Sequence, residues 1–240
     1  MILSKFLAEY AEEKPLCERC GGSGYIGATM CACLAEISRQ EQKKELSLLA
    51  CGEHRFADFH LDYYPETVDP QYGVSPRVVM GRILSICQKY AQGFTPAAGN
   101  LLFNGSTGLG KTMLSACIAT EVAEKGYSVA YETAAHLFAK LEKNHFRPDE
   151  ESAEDVKKLN TCDLLIIDDL GTELPGNFTV AALYTLLNDR LLAGKPMIIS
   201  TNLYIDEIRT RYSPQIASRL EGSFQLLPFV GNDIRVLKNK

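Results

Sequence analysis

The sequence predicts an α/β fold, a parallel sheet buried on both faces and flanked by helices, with a small cysteine-rich module ahead of it. Three observations carry this. The apolar run Leu101-Leu102-Phe103 leads into the glycine-rich stretch Gly105 to Thr112, and Met113 to Lys125 then shows apolar residues at helical spacing, stopping at Gly126. Leu164-Leu165-Ile166-Ile167 is continuously apolar and closes on Asp168-Asp169. Met197-Ile198-Ile199 repeats the form and ends in Ser200-Thr201-Asn202. Strands that read apolar without alternation belong to parallel sheets covered by helices on both faces.

The N-terminal part has a different character. At 240 residues and a formal net charge of −5, the chain has room for one nucleotide-binding domain and a small module, and lacks a global basic field for nucleic acid or membrane. No apolar run approaches a membrane span. Met1 to Pro15 alternates apolar and charged residues without the core of a signal peptide. A cytoplasmic protein with no membrane partner is the expectation. Its eight cysteines then read as reduced thiols, metal ligands or core residues. Cys87, Cys117 and Cys162 stand singly in helix- or strand-like stretches and read as core. Cys17 and Cys20, followed by Gly21-Gly22-Ser23-Gly24, and the pair Cys31 and Cys33 have the grouping of a closed, structural tetrahedral Zn²⁺ site. The second pair is C-x-C rather than the commoner C-x-x-C, which leaves Cys51 and His54 as alternative ligands.

Leu34 to Leu49 reads as a helix with Arg39, Lys43 and Lys44 close together, a solvated face by default. Phe56 to Pro65 (FADFHLDYYP) sets aromatic rings at short intervals, to pack this linker against the sheet domain and to wall a purine pocket. Val78 to Tyr90 is an amphipathic helix before the loop Gly93 to Gly99. The polar tract Arg147 to Lys158 reads as a surface loop or short helix. Phe178 to Leu192 carries Val180, Leu183, Leu186, Leu187 and Leu191 at helical spacing. Ile205 to Arg209 begins a short helix, Ser213-Pro214 opens another with serine as cap and proline at the first position, and Phe224 to Val230 is a last strand.

The chemistry sits at the strand ends. Gly105-Ser106-Thr107-Gly108-Leu109-Gly110-Lys111-Thr112 fills G-x-x-x-x-G-K-[ST] between a strand and a helix. Such a loop wraps a triphosphate with backbone N–H groups, and the helix N-terminus adds donors and positive potential. Lys111, expected to face solvent when no ligand is bound, reaches the β- and γ-phosphates, and the Thr112 hydroxyl holds Mg²⁺. Asp168 is the second Mg²⁺ ligand, through water, and Asp169 the residue that polarises the attacking water. Thr201 or Asn202 contacts the γ-phosphate or that water.

Gly105 to Thr112, Leu164 to Gly171 (LLIIDDLG), Ile198 to Leu203 (IISTNL) and Ser218-Arg219-Leu220, in that order, resemble the AAA+ ATPases of the DnaC/DnaI helicase-loader type. FADFHLDYYP and the cysteine pairs resemble its phage and Gram-positive members. The resemblance spans nearly the whole chain. It implies an AAA+ P-loop core with a parallel five-stranded sheet, without a full C-terminal lid, since the sequence runs ten residues past Val230. It also implies a zinc and helicase-interaction module over 1–52, a linker over 53–98 and the ATPase core over 99–240. ATP, Mg²⁺ and structural Zn²⁺ are the implied cofactors; a replicative hexameric helicase, single-stranded DNA and further copies of the chain are the implied partners. Asn202 is the implied sensor of the γ-phosphate, Arg219 the arginine finger reaching a neighbouring subunit's site, and Arg235 a second sensor. One departure stands out: most AAA+ proteins have glutamate where this chain has Asp169. The shorter side chain implies slow hydrolysis and leaves Glu173 as an alternative base. Two other readings stay open, an IstB-like transposition helper, which usually lacks the zinc motif, and a nucleotide-responsive DNA-binding adaptor with negligible turnover. A small-molecule kinase would need an acceptor pocket and a lid, and neither is evident.

Overall fold

Residues 17–34, 36, 37, 54–70 and 73–238 are described by a computed structural model. The chain divides into two compact units, residues 1–42 and 43–240. Most of the expected helix Leu34 to Leu49, with Arg39, Lys43 and Lys44, and the alternative ligand Cys51 lie outside the described residues.

In the first unit β1 (Tyr25–Ile26) pairs antiparallel with β2 (Thr29–Met30). The turn before it is closed by the Ser23 amide donating to the Cys20 carbonyl and the Cys31 amide to the Gly24 carbonyl. Among the described side chains here only Cys31 is buried. Among the described residues of this unit there is almost no apolar core.

The second unit is a sheet of five parallel strands, β3 (Asn100–Asn104), β4 (Val129–Thr133), β5 (Leu164–Leu170), β6 (Met197–Thr201) and β7 (Phe224–Pro228), in the order β4-β5-β6-β3-β7. The period of two along each strand splits the core into two faces. Leu101 and Phe103, Leu164 and Ile166, and Ile198 point to one face, where α1 (Pro76–Gln92) and α2 (Lys111–Glu124) bury Met80, Ile83, Ile118 and Val122. Leu102, Leu165, Ile167, Met197 and Ile199 point to the other, against α3 (Ala134–Phe146), α4 (Glu150–Thr161), α5 (Asn177–Leu192), α6 (Ile205–Arg211) and α7 (Pro214–Ser223). Both faces being covered explains the unbroken apolar runs. Cys87, Cys117 and Cys162 are buried, as expected of core residues. Among the described residues no helix is long and apolar enough to cross a membrane.

Two consecutive elements of the second unit, β4 and α3, were not read from the sequence. Val129–Thr133 is a strand made of one β-branched aliphatic residue, an alanine, a tyrosine and two polar residues, too weak a pattern to stand out. The helix after it starts at once, with the Thr133 side chain capping the His136 amide. The polar tract resolves as the twelve-residue α4, entered through a capping box in which the Asp149 carboxylate accepts from the Ser152 amide at 2.7 Å and the Asp149 amide donates back to the Ser152 hydroxyl at 3.0 Å. Past β7 the chain forms a short helix, α8 (Ile234–Lys238).

Candidate functional site

The C-terminal ends of β3, β5 and β6 lie side by side, where open α/β sheets collect ligands. A cleft of about 370 Å³ opens there, within the range of small-molecule sites. The phosphate loop forms its floor. Gly110 caps α2 with φ +88°, and a Cβ there would stand 2.8 Å from the Phe59 ring, so this position needs glycine on both backbone and steric grounds. The aromatic segment makes one wall: Phe59, His60 and Tyr63 line the cleft. Tyr64, buried and stacked on Phe59 at a centroid distance of 5.7 Å, donates its hydroxyl to the Leu109 carbonyl at 2.8 Å and so pins the wall to the loop. The rings expected to wall a base pocket are therefore at the cleft, one of them through its grip on the loop. His54, in the second unit, lines this cleft too.

Lys111 differs from expectation. Its side chain is only 5% exposed, and its ammonium donates to the carbonyls of Gly105 at 2.6 Å and Ser106 at 2.7 Å. Burial lowers its pKa, while Asp169 and Asp168 oppose that shift. The expectation of a solvent-facing lysine is corrected: the loop's own carbonyls accept from its ammonium. Thr112 lines the cleft one residue on.

The two acidic residues at the end of β5 behave oppositely. Asp168 is buried, accepting from the Tyr131 hydroxyl at 2.9 Å and from the Ser200 hydroxyl. Asp169 faces the cleft. The β5–β6 register shifts between Ile167 and Leu170, and Asp169 takes a left-handed φ of +56°, with its amide donating to Ser200 Oγ at 2.9 Å. A bulge thus re-aims the second carboxylate out of the strict alternation of the strand. Partial burial and the adjacent Asp168 raise its pKa. Tyr131 and Ser200, which hold these acids, escaped sequence reasoning; Ser200 was visible as a polar residue in an apolar run, Tyr131 lay on the unread strand. Thr112 and Asp168 offer hard oxygen donors of the kind Mg²⁺ takes, Thr112 lining the cleft and Asp168 lying buried behind it with both carboxylate oxygens accepting hydrogen bonds.

Asn202, after β6, and Arg235, on α8, line the same cleft, and the Ile234 amide donates to the Gly108 carbonyl at 3.0 Å, fastening this segment to the loop. Arg219 and Glu173 do not line it. Arg219 is half-buried on α7, donating to the Tyr184 hydroxyl at 2.7 Å and Asn188 at 3.0 Å, with its guanidinium 4.2 Å above the Tyr184 ring. Glu221 pairs instead with Arg209 at 2.9 Å. Glu173 is buried in its own hydrogen bonds, from the Gly171 amide at 3.0 Å and from the Tyr212 hydroxyl.

In the first unit the ligand atoms of Cys17, Cys20, Cys31 and Cys33 all lie within 4.8 Å of one another. The Cys17–Cys31 and Cys20–Cys33 sulfurs are 3.8 and 3.4 Å apart, at and just below the edge of about 3.8 Å that a tetrahedron with Zn–S bonds of about 2.3 Å requires. Desolvation works against ionisation of Cys20, yet hydrogen bonds from the Gly24 amide and the Cys33 thiol outweigh it and bring its pKa to about 6. Four cysteine sulfurs so grouped fit a structural Zn²⁺.

Over 106 residues the chain is 26% identical to a protein named as ATP-binding in an insertion sequence of Mycobacterium tuberculosis, covering 44% of this chain and 41% of that one. Over 114 residues it is 30% identical to the replicative helicase loader DnaI of Bacillus subtilis, covering 47% and 36%. The matches thus span about two fifths of the length of these relatives. In three dimensions it resembles the DnaC helicase loader, with a TM-score of 0.59 at 21% identity over 72% of this chain and 97% of that one, which shows a shared fold. Residues 83–217, more than half of the chain, match the IstB-like ATP-binding proteins, and it is to that family that the chain belongs.

Proposed function

We propose that this chain is an ATPase that loads a replicative helicase onto single-stranded DNA, working in the cytoplasm as an assembly of several copies. The convergence of Lys111, Asp169, Asn202 and Arg235 on one cleft supports the ATPase reading. The loader reading draws on the identity to DnaI and on a four-thiol unit separate from the nucleotide-binding one. ATP lies with its base against Phe59 and Tyr63 and its phosphates on residues 105–112. Lys111 exchanges two loop carbonyls for the β- and γ-phosphates. Thr112 and Asp168 are the residues that would hold Mg²⁺, which would supply neutralisation of the phosphate charge. Asp169 accepts a proton as the oxygen of a water attacks the γ-phosphorus; the bond to the β–γ bridging oxygen breaks and ADP leaves. Asn202 orients the water, and Arg219 from a neighbouring copy stabilises the γ-phosphate. The zinc-stapled unit grips the helicase.

Turnover measured alone, with single-stranded DNA, and with a replicative helicase tests this. Asp169→Asn should abolish turnover, by more than about 100-fold, while ATP still binds, because only the proton-accepting charge is lost. The raised pKa of Asp169 has a sign: the carboxylate is lost to protonation at a higher pH than an ordinary aspartate, so wild-type turnover should decline earlier on acidification. Equal turnover by the asparagine variant would end the assignment. The insertion-sequence relative favours a second reading, an IstB-like transposition helper. Stimulation by a transposase and indifference to helicase would select it.

A further inference from the structure

Glu173 is a buried carboxylate that the mechanism above does not use. It stands four residues beyond Asp169, yet its side chain turns away from the cleft. One oxygen accepts from the Gly171 amide at 3.0 Å, the other from the Tyr212 hydroxyl, and its main-chain carbonyl accepts from the Arg211 guanidinium. Burial and the adjacent carboxylate push the Tyr212 phenol well above its ordinary range, so it stays a proton donor.

Both ends of this linkage matter. On one side is the loop that aims Asp169. The Asp169 carbonyl accepts from the Thr172 amide at 3.3 Å and the Thr172 hydroxyl at 2.9 Å, closing a tight turn. The loop is pressed against the chain after Asn202, where a Cβ on Gly171 would stand 2.6 Å from Leu203 Cδ1. On the other side is the corner between α6 and α7. Tyr212 ends α6, and the next residue, Ser213, caps α7 by accepting from the Ile216 amide at 3.2 Å. Helix α7 carries Arg219. A surface groove on this side is lined by Tyr212, Ser213, Gln215 and Tyr184, the last being the ring beneath Arg219.

We propose that Glu173 is a positioning residue and not a base: through Tyr212 it ties the α6–α7 corner to the loop that aims Asp169. The turnover consequence rests on the hydrolytic reading above; the mechanical tie does not.

Three variants of the full chain, Tyr212→Phe, Glu173→Ala and Glu173→Gln, separate the possibilities. Tyr212→Phe keeps the ring and deletes one hydrogen bond. It and Glu173→Ala should each lower kcat by about tenfold, with KM for ATP moving less than about twofold. The double variant Tyr212→Phe/Glu173→Ala should fall no further, since both remove one linkage. Glu173→Gln should retain turnover within about threefold of wild type, because the amide can accept from one partner and donate to the phenol oxygen. Amide hydrogen exchange should rise in Tyr212→Phe at residues 170–173, with the core strands unchanged. If Glu173→Gln is as inactive as Glu173→Ala while Tyr212→Phe is unaffected, Glu173 is the base and the proposal is overturned. Should wild type hydrolyse nothing under any condition, the hydrolytic reading fails by itself, and exchange still decides: unchanged protection at 170–173 in Tyr212→Phe refutes the tie.

Discussion

Tyr25, Ile26 and Met30 in the small unit are 48%, 53% and 51% exposed, whereas Leu164, Leu165, Ile166 and Ile167 in the sheet are each at 0%. The two units hold together by different physics. Each of the four sheet residues withdraws enough apolar surface to contribute about 1.5–3 kcal/mol, and neighbouring strands repeat the pattern on both faces. The small unit has two short strands and four clustered sulfurs. Its described residues hold no comparable reserve, so its order should follow its metal, and the sheet's should not.

The largest expected effect tests that contrast. Structural zinc sites carry an apparent binding free energy of about 10–16 kcal/mol at neutral pH, much of it spent on folding. Purified protein should hold about one Zn²⁺ per chain. Removing it by chelation, or changing Cys17 to Ser, should unfold the small unit, seen as lost protease resistance there, while ATP affinity is kept. Loss of both together would show that the units are not energetically separate. The converse experiment, Ile166→Ala, should cost the sheet about 2–5 kcal/mol, read as a lower denaturation midpoint, with zinc content unchanged. A smaller effect is expected in the cleft. Lys111→Ala removes a charged contact to phosphate worth about 1.5–3 kcal/mol, so ATP affinity should fall at least about tenfold by calorimetry. It also leaves two loop carbonyls without their donor, so the ligand-free protein should lose some stability too. Smallest of all, Arg219→Ala should shift the single subunit's ATP affinity by less than about threefold, since its contacts are with Tyr184 and Asn188, a stacking worth about 0.5–1 kcal/mol. Assembly-dependent turnover should nevertheless vanish. Mixing these subunits with Lys111→Ala subunits should restore part of it; persistent inactivity despite co-assembly would remove Arg219 from the shared site.

What the sequence made legible follows the strength of local signals. The strands around Leu101, Ile166 and Ile198 are long apolar runs, and the loop motif is a fixed-position pattern, so sheet and phosphate site were readable. Ser213-Pro214 announced α7 through cap chemistry and fixed φ. Strand β4 was not readable because Val129–Thr133 is stabilised by its place beside β5, a non-local fact. The orientation of Lys111 was misread because the loop's carbonyls are invisible to side-chain reasoning. Glu173 and Asp169 are near each other in sequence, yet a bulge and a buried phenol send their carboxylates to different surroundings, which no spacing rule reveals.

The backbone at Asp169 gives the unusual acid a second meaning. A left-handed φ of +56° is tolerated by aspartate and asparagine far better than by longer side chains. A glutamate there would reach further toward a water but would be forced into a conformation it disfavours. Asp169→Gly, by the same reasoning, would relax the backbone and leave a sturdier protein with no acid at the site. The chain has thus kept a conformational debt at the one place where a shorter carboxylate is the compatible solution, and attempts to quicken the enzyme by Asp169→Glu would have to rebuild the bulge before they could lengthen the side chain.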